Sequence, residues 1–183
     1  MLGPRQPWLV RGAQALLLLL ATAGTLRLLD WLPRQATRAA QVRDLPSIEA
    51  VEKATGRRLA LPAYFPRSLP WPPSRVQAFG AGPDAVALEL AHPDAGMPMV
   101  VLAESVRSPV PFPESFFPPA MLLDTRPIAW RGQQARLSRL RGEDGAAWAE
   151  LAWEQDGQAF AFRSRGSLEQ LIDLAASVHR EGP

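Results

Sequence analysis

His92 and His179 are the only two imidazoles of this 183-residue chain, which has no cysteine. Acid–base or metal chemistry would therefore have to run through these two residues, the serines or the carboxylates. His92 sits in the turn-forming run His92-Pro93-Asp94, and His179 closes an apolar-striped segment near the C-terminus. Neither has a second histidine nearby, whereas a metal site needs converging ligands held by a supporting shell. Ser105, Ser108 and Ser115 lack the Gly-x-Ser-x-Gly elbow, and a serine nucleophile also requires a base within reach. Glu143 with Asp144, and Glu154 with Asp156, fall in turn-like runs, while glycosidase carboxyls must flank a cleft. No glycine loop suited to cradling phosphate occurs. Thiolate chemistry is excluded outright. These residues point to a protein that is not an enzyme and that carries no cofactor and no metal.

Binding chemistry has better candidates. In the strand register that the tight turns impose, Arg136, Arg163 and Arg165 share one outward sheet face with Trp148 and Glu150. Glu150 faces Arg163 as an ion pair, and Trp148 faces Arg165 as a cation–π pair. That face reads either as solvated with local ion pairs or as a partner surface, since Trp and Arg are enriched at interface hot spots. Phe112, Phe116 and Phe117 pose the same choice within the proline-rich run 108–119. They either plug a core beneath a long loop or form a lid or docking segment.

The elements that must position these groups follow from turn chemistry. Asp156-Gly157 is a two-residue hairpin signal that sets Trp153 opposite Phe160 and Leu151 opposite Phe162. Glu143-Asp144-Gly145 suits a three-residue loop with Gly145 left-handed, placing Leu137 opposite Leu151 and Ala135 opposite Trp153. The two turns agree, because the shared face stays apolar over three strands. Another hairpin is expected about Arg131-Gly132, following a strand at 121–124. Strands are also expected at 75–80, 85–91 and 97–106, where Val86, Leu88 and Leu90 alternate. Ser47 caps a short helix ending at Gly56. Ser167 with Gln170 forms a capping box for a C-terminal helix running to about His179, whose Leu168, Leu171, Ile172, Ala175 and Val178 make one stripe. Residues 59–73 are proline-rich, extended surface chain.

The N-terminus decides where the chain works. Arg5 and Arg11 precede an uncharged run from Gly12 to Leu26, a helix of roughly 22 Å against a hydrocarbon core of ~30 Å. Extending it to Trp8 and Leu32 gives an anchor with Trp8 and Trp31 at the interfaces, Arg11 snorkelling and Arg27 paired to Asp30. The competing reading is a signal peptide cleaved after Ala21-Thr22-Ala23. Both of these leading readings export the rest of the chain; the third is a cytosolic chain with an unusual N-terminus. Arg27, Arg34, Arg38 and Arg43 after the span oppose the positive-inside rule, yet the short amino-terminal tail has the form of a secretory signal and favours an inside N-terminus. Residues 1–45 hold six arginines against Asp30 and Asp44, so they carry the basic excess, while residues 46–183 are net −2. That distribution suits anionic headgroups beside the membrane and gives the remainder no case for nucleic acid.

The run from Trp153 through Asp156-Gly157, Phe160-Ala161-Phe162 and Ser167 to Ala176-Ser177-Val178 resembles the C-terminal module of a family of unknown function. Such modules lie behind a single membrane span in bacterial extracytoplasmic proteins, including some anti-sigma factors. Leu61-Pro62-Ala63-Tyr64-Phe65-Pro66 is similar to that module's opening segment. The resemblance implies a small exported α+β sensor or scaffold domain and transfers no catalytic residue; with only a few residues before the span, it does not extend to sigma-factor sequestration.

The expectation is therefore an α+β protein, an antiparallel sheet with a C-terminal helix packed on one face, preceded by a single N-terminal transmembrane helix. Residues 1–32 would be the anchor, 33–46 a linker and 47–183 one extracytoplasmic domain at the bacterial inner membrane. Its expected partners are lipid, through the anchor, and a protein of the envelope. The alternative function is a carrier or sensor that holds an apolar envelope ligand between the sheet and the C-terminal helix, gated by 108–119.

Overall fold

A computed structural model describes Leu20 and residues 41–66, 69, 71–80, 82–92, 94, 96–106 and 111–179. The expected anchor at 1–32, apart from Leu20, and the linker through residue 40 lie outside the described residues. Among the described residues no helix is long and apolar enough to cross a membrane.

In chain order the elements are β1 (Val42–Leu45), α1 (Ile48–Thr55), β2 (Leu61–Pro62), β3 (Arg75–Phe79), β4 (Ala85–Ala91) and β5 (Pro98–Ser105). They continue through a 3-10 turn (Glu114–Phe116) to β6 (Ala120–Trp130), β7 (Gln133–Gly142), β8 (Ala147–Gln155), β9 (Gln158–Ser164), α2 (Leu168–Ala176) and β10 (Val178–His179). Eight strands form one sheet in the order β1-β3-β4-β5-β9-β8-β7-β6. Every neighbouring pair is antiparallel. The sheet is thus two meanders abutting where β5 pairs with β9. The chain must pass from β5 in mid-sheet to the far edge at β6, four strand spacings away or about 19 Å. Residues 111–119, on the way, form a strap against one face.

The hairpin register agrees with the sequence. Trp153 opposes Phe160, Leu151 opposes Phe162 and Glu150 opposes Arg163, while Ala135 opposes Trp153 and Leu137 opposes Leu151. The tight turns carry the backbone the sequence implies: Arg131 and Gly132 at φ 48° and 78°, Gly145 at 80°, Asp156 and Gly157 at 52° and 73°. A positive φ at both central residues gives the twist that two-residue hairpins require.

One face of the sheet holds the large apolar core. Val86, Leu88, Leu90, Val100, Leu102, Leu151, Trp153, Phe160 and Phe162 pack there with Ile48 and Val51 of α1 and Leu171, Leu174 and Ala175 of α2. Trp153 stacks on Phe160 at 5.0 Å and meets Phe162 edge-on at 5.0 Å. The Ser47 hydroxyl accepts from Ala50 N at 3.3 Å, and Ser167 from Gln170 N at 3.1 Å, capping α1 and α2 respectively.

Strand β6 runs over Ala120–Trp130, where only 121–124 is expected, and two further elements differ from the sequence reading. Val42–Leu45, at the end of the expected linker, is strand β1 paired with β3, held partly by Arg75 donating to Asp44 at 2.8 Å. The C-terminal helix stops at Ala176 rather than near His179, and Val178–His179 pairs instead with Leu61–Pro62. The Ser177 hydroxyl donates to Leu174 O at 2.8 Å, and Ala63 N donates to Ser177 O at 2.9 Å. Pairing with the proline-rich run therefore competes successfully with another half-turn of helix.

Candidate functional site: the strap face

The opposite face is built from small residues. Ala85, Ala87, Val101, Ala103 and Ala161 form a shallow surface that receives Phe116, itself 2% exposed, with Phe112 and Phe117 partly buried beside it. Small side chains let the strap lie close to the sheet, and the phenylalanines supply the volume that the alanines lack. Of the two readings available for these three residues, the plug describes Phe116. Phe112 and Phe117 meet edge to face at 6.4 Å and line the open space beside the plug.

That space is a cleft of about 1290 Å³ between the strap and the β6–β7 end of the sheet. Phe112, Phe117, Pro118 and Pro119 form one wall, Thr125 and Pro127 the other, and Ala152, Ala159 and Ala161 the floor. Arg136, Gln134, Glu114 and Glu154 stand around it. Its charges balance in sign: Arg126, Arg136 and Arg163 against Glu114, Glu150 and Glu154.

Arg163 ties the strap to the sheet. Its Nη2 and Nε donate to Glu150 Oε2 at 2.7 and 3.0 Å, and its Nη1 donates to Pro118 O at 2.9 Å. The guanidinium carbon lies 4.4 Å from the centre of the Phe117 ring. The side chains of Arg163 and Glu150 are only 13% and 12% exposed. In such surroundings the pair is little screened, and each partner leaves an uncompensated charge if the other is lost.

The structure does not bring the five residues of the expected partner face together as a solvated patch. Arg136 is exposed and lines the cleft, whereas Glu150 and Arg163 are enclosed beneath the strap. Trp148 is 5% exposed and opposes Leu140. Its indole packs against the turn after β7, where a β-carbon at Gly142 would lie 2.7 Å from Asp144 Oδ1 and 3.0 Å from Trp148 Nε1. The β8–β9 ladder ends at Ala149 and Ser164, and Arg165 turns to Asp144 at 3.0 Å. The exposed Trp148–Arg165 pair expected from the register is thus replaced by a buried indole and a separate surface ion pair. Strand parity is as the turns imply, but parity alone does not reveal that the strap and the β7–β8 turn cover part of the outward face.

The space expected to hold an apolar ligand, between sheet and C-terminal helix, is filled. Leu171, Leu174 and Ala175 are buried there. A small gap of about 10 Å³ remains on the helix face at Leu59, Leu61, Leu102 and Phe162. The described part of the strap, residues 111–119, lies on the other face of the sheet.

The residues with catalytic potential stand apart. His92 Nδ1 accepts from Asp94 N at 3.3 Å within its turn, and exposed His179 lies in β10. Ser105 is buried and accepts from Ala159 N at 2.7 Å, bracing β5 against β9. Ser115 is exposed in the 3-10 turn, and Ser108 lies outside the described residues. Among the described residues no group of three His, Asp or Glu is placed to hold a metal ion. Burial pushes the Glu89 carboxyl above its usual range, with Arg75 partly offsetting this and Asp44 adding to it. Hydrogen bonding from Arg75 holds Asp44 below its usual range. This Asp44–Arg75–Glu89 group belongs to the β1–β3–β4 end of the sheet.

Sequence reasoning missed the contribution of the Pro118 carbonyl, the alanine floor and Glu104, whose buried carboxylate accepts from Ala60 N at 2.8 Å on the helix face. A carbonyl partner leaves no mark on side-chain chemistry. The alanines at 85, 87, 103, 152, 159 and 161 did offer a signal: a strand face of small residues calls for something close above it. Compared with protein-family models, curated proteins and solved structures, the chain matches none of them.

Proposed function

We propose that this protein is a membrane-anchored, extracytoplasmic interaction or accessory component of a bacterial envelope assembly, and that it is non-catalytic. The N-terminal segment would cross the inner membrane once and hold the α+β domain on the outer side, where the strap-face cleft meets a protein partner. The observation that carries this reading is the cleft itself, whose volume of about 1290 Å³ lies on a surface of mixed chemistry, with phenylalanine and proline walls and a rim of Arg136, Gln134, Glu114 and Glu154. Interfaces combine an apolar centre with a polar rim in this way. The resemblance of the C-terminal hairpin and helix to modules behind a membrane span supports the same placement.

The test is purification of the intact tagged protein from its own membranes in mild detergent, with mass spectrometry of its companions and of its N-terminus. A defined companion that is lost on Arg136→Glu, with residues 1–23 retained, supports an anchored component. A lone chain beginning near Gly24 contradicts it. The walls of Phe112, Phe117 and three prolines favour one second reading, an apolar ligand held in the cleft rather than under the helix. Lipid extracted with the wild type but not with Phe117→Asp would select that alternative.

A further inference from the structure

The two edges of the large sheet are finished differently. Strand β1 is four residues long, carries Arg43 and Asp44, and Asp44 is tied to Arg75 at 2.8 Å. Short, charged strands are a common way to keep a sheet edge from pairing with another chain. Strand β6 is eleven residues long, and among the described residues no strand pairs beyond it. Met121, Leu122 and Leu123 are exposed on it at 59%, 56% and 49%. It too carries charges, Asp124 and Arg126, and a bulge between Leu122 and Asp124. A proline survives in a ladder only where its nitrogen faces away from the neighbouring strand, so Pro127 removes one donor from the outer edge. The length of β6 and its exposed apolar run are what set it apart from β1.

We infer that β6 is the contact between two copies of this chain, paired antiparallel about a twofold axis at Thr125 to make one continuous sheet. The sequence of the strand is complementary to itself in that register. Asp124 falls opposite Arg126 of the second copy and, beyond the one-residue shift at Leu123, Leu122 falls opposite Pro127 and Met121 opposite Ile128, the members of each pair on one face. Asp124 and Arg126 point to the same face, because their partners Arg139 and Leu137 are alternate residues of β7. The acid–base pair therefore occurs twice, side by side about the axis. Asp124 already meets the exposed Arg139 at 3.3 Å, which leaves its carboxylate able to accept a second guanidinium. The ladder shifts between Leu122 and Asp124, leaving Leu123 without a partner on β7. An isologous contact of this kind closes as a dimer and goes no further. Thr125 and Pro127 also form one wall of the strap-face cleft, so the clefts of the two copies lie on either side of the axis; the contact does not depend on the function proposed for that cleft.

The chain has no native cysteine, so a single introduced thiol reports on the contact. Directly opposed residues of antiparallel strands have Cα atoms ~4.5–5.5 Å apart, within disulfide range. In the full chain, oxidised in its own membranes with copper phenanthroline, Thr125→Cys is expected to give a disulfide-linked dimer and Asp44→Cys, on the other edge, a monomer. In detergent, Asp124→Arg should weaken dimerisation by about tenfold by placing like charges opposite each other twice. Asp124→Arg with Arg126→Asp should restore it, which separates the contact from damage to folding. A monomeric wild type, or equal cross-linking at positions 44 and 125, would overturn the inference.

Discussion

The helix face and the strap face of the same sheet solve burial in opposite ways. On the helix face, leucines, valines and the Trp153–Phe160–Phe162 stack meet two amphipathic helices in a filled core. On the strap face the sheet offers alanines, the volume comes from Phe116 in a connecting segment, and the anchor is a buried Arg163–Glu150 pair. Dense apolar packing has no discrete bond to release, whereas the strap's hold on the β8–β9 end rests largely on one guanidinium. Under the proposed function, the first face supplies stability and the second recognition.

Substitutions can break that contrast. Trp153→Ala removes the centre of the aromatic stack and should cost about 3–5 kcal/mol, read as a lowered urea midpoint for the full chain in mild detergent. Glu150→Ala leaves Arg163 enclosed without its carboxylate and should cost about 2–4 kcal/mol. Glu150→Leu with Arg163→Met should recover much of that loss, which a double-mutant cycle would read directly. On the same face, Ala161→Leu pushes into the strap and should cost about 1–3 kcal/mol, while Ala152→Leu, at the open part of the floor, should cost less than about 1. Equal costs at the two alanines would erase the distinction between plug and cleft.

The smallest effect is electrostatic. Burial raises the Glu89 carboxyl in the folded protein, so its ionised form is disfavoured there and the strain it causes is absent at low pH. Stability contributed by its proton is present below the unfolded-state value and lost as pH rises through the folded one. Glu89→Gln should therefore raise stability at neutral pH by less than about 1 kcal/mol, because the group is only half-buried. The gain should vanish in acid, as urea titrations at the two pH values would show.

Much of the helix face was legible because its signals are local. Asp156-Gly157 and Gly145 fix hairpin registers, and the alternation of Val86, Leu88 and Leu90 names an inward face. Strand β1 was not legible: Val-Arg-Asp-Leu has two charges and too few residues for a period, and only its neighbour β3 makes it a strand. The end of α2 was hidden because Val178 continues the helical stripe, while what stops the helix is the distant run at 61–64. On the strap face the pairing of Glu150 with Arg163 followed from register, but its enclosure did not. Which side of the sheet a connection crosses depends on strand order, and the β5–β9 adjacency joins segments more than fifty residues apart.

The most direct test of recognition by the strap face compares the two faces in living cells. A photo-reactive amino acid is placed at Arg136, on the cleft, or at Glu169, on the exposed side of α2, in the full-length chain. Cross-links to one defined envelope protein from position 136 and none from position 169 are the predicted result; the same adducts from both positions, or none from 136, would contradict the assignment of recognition to the strap face.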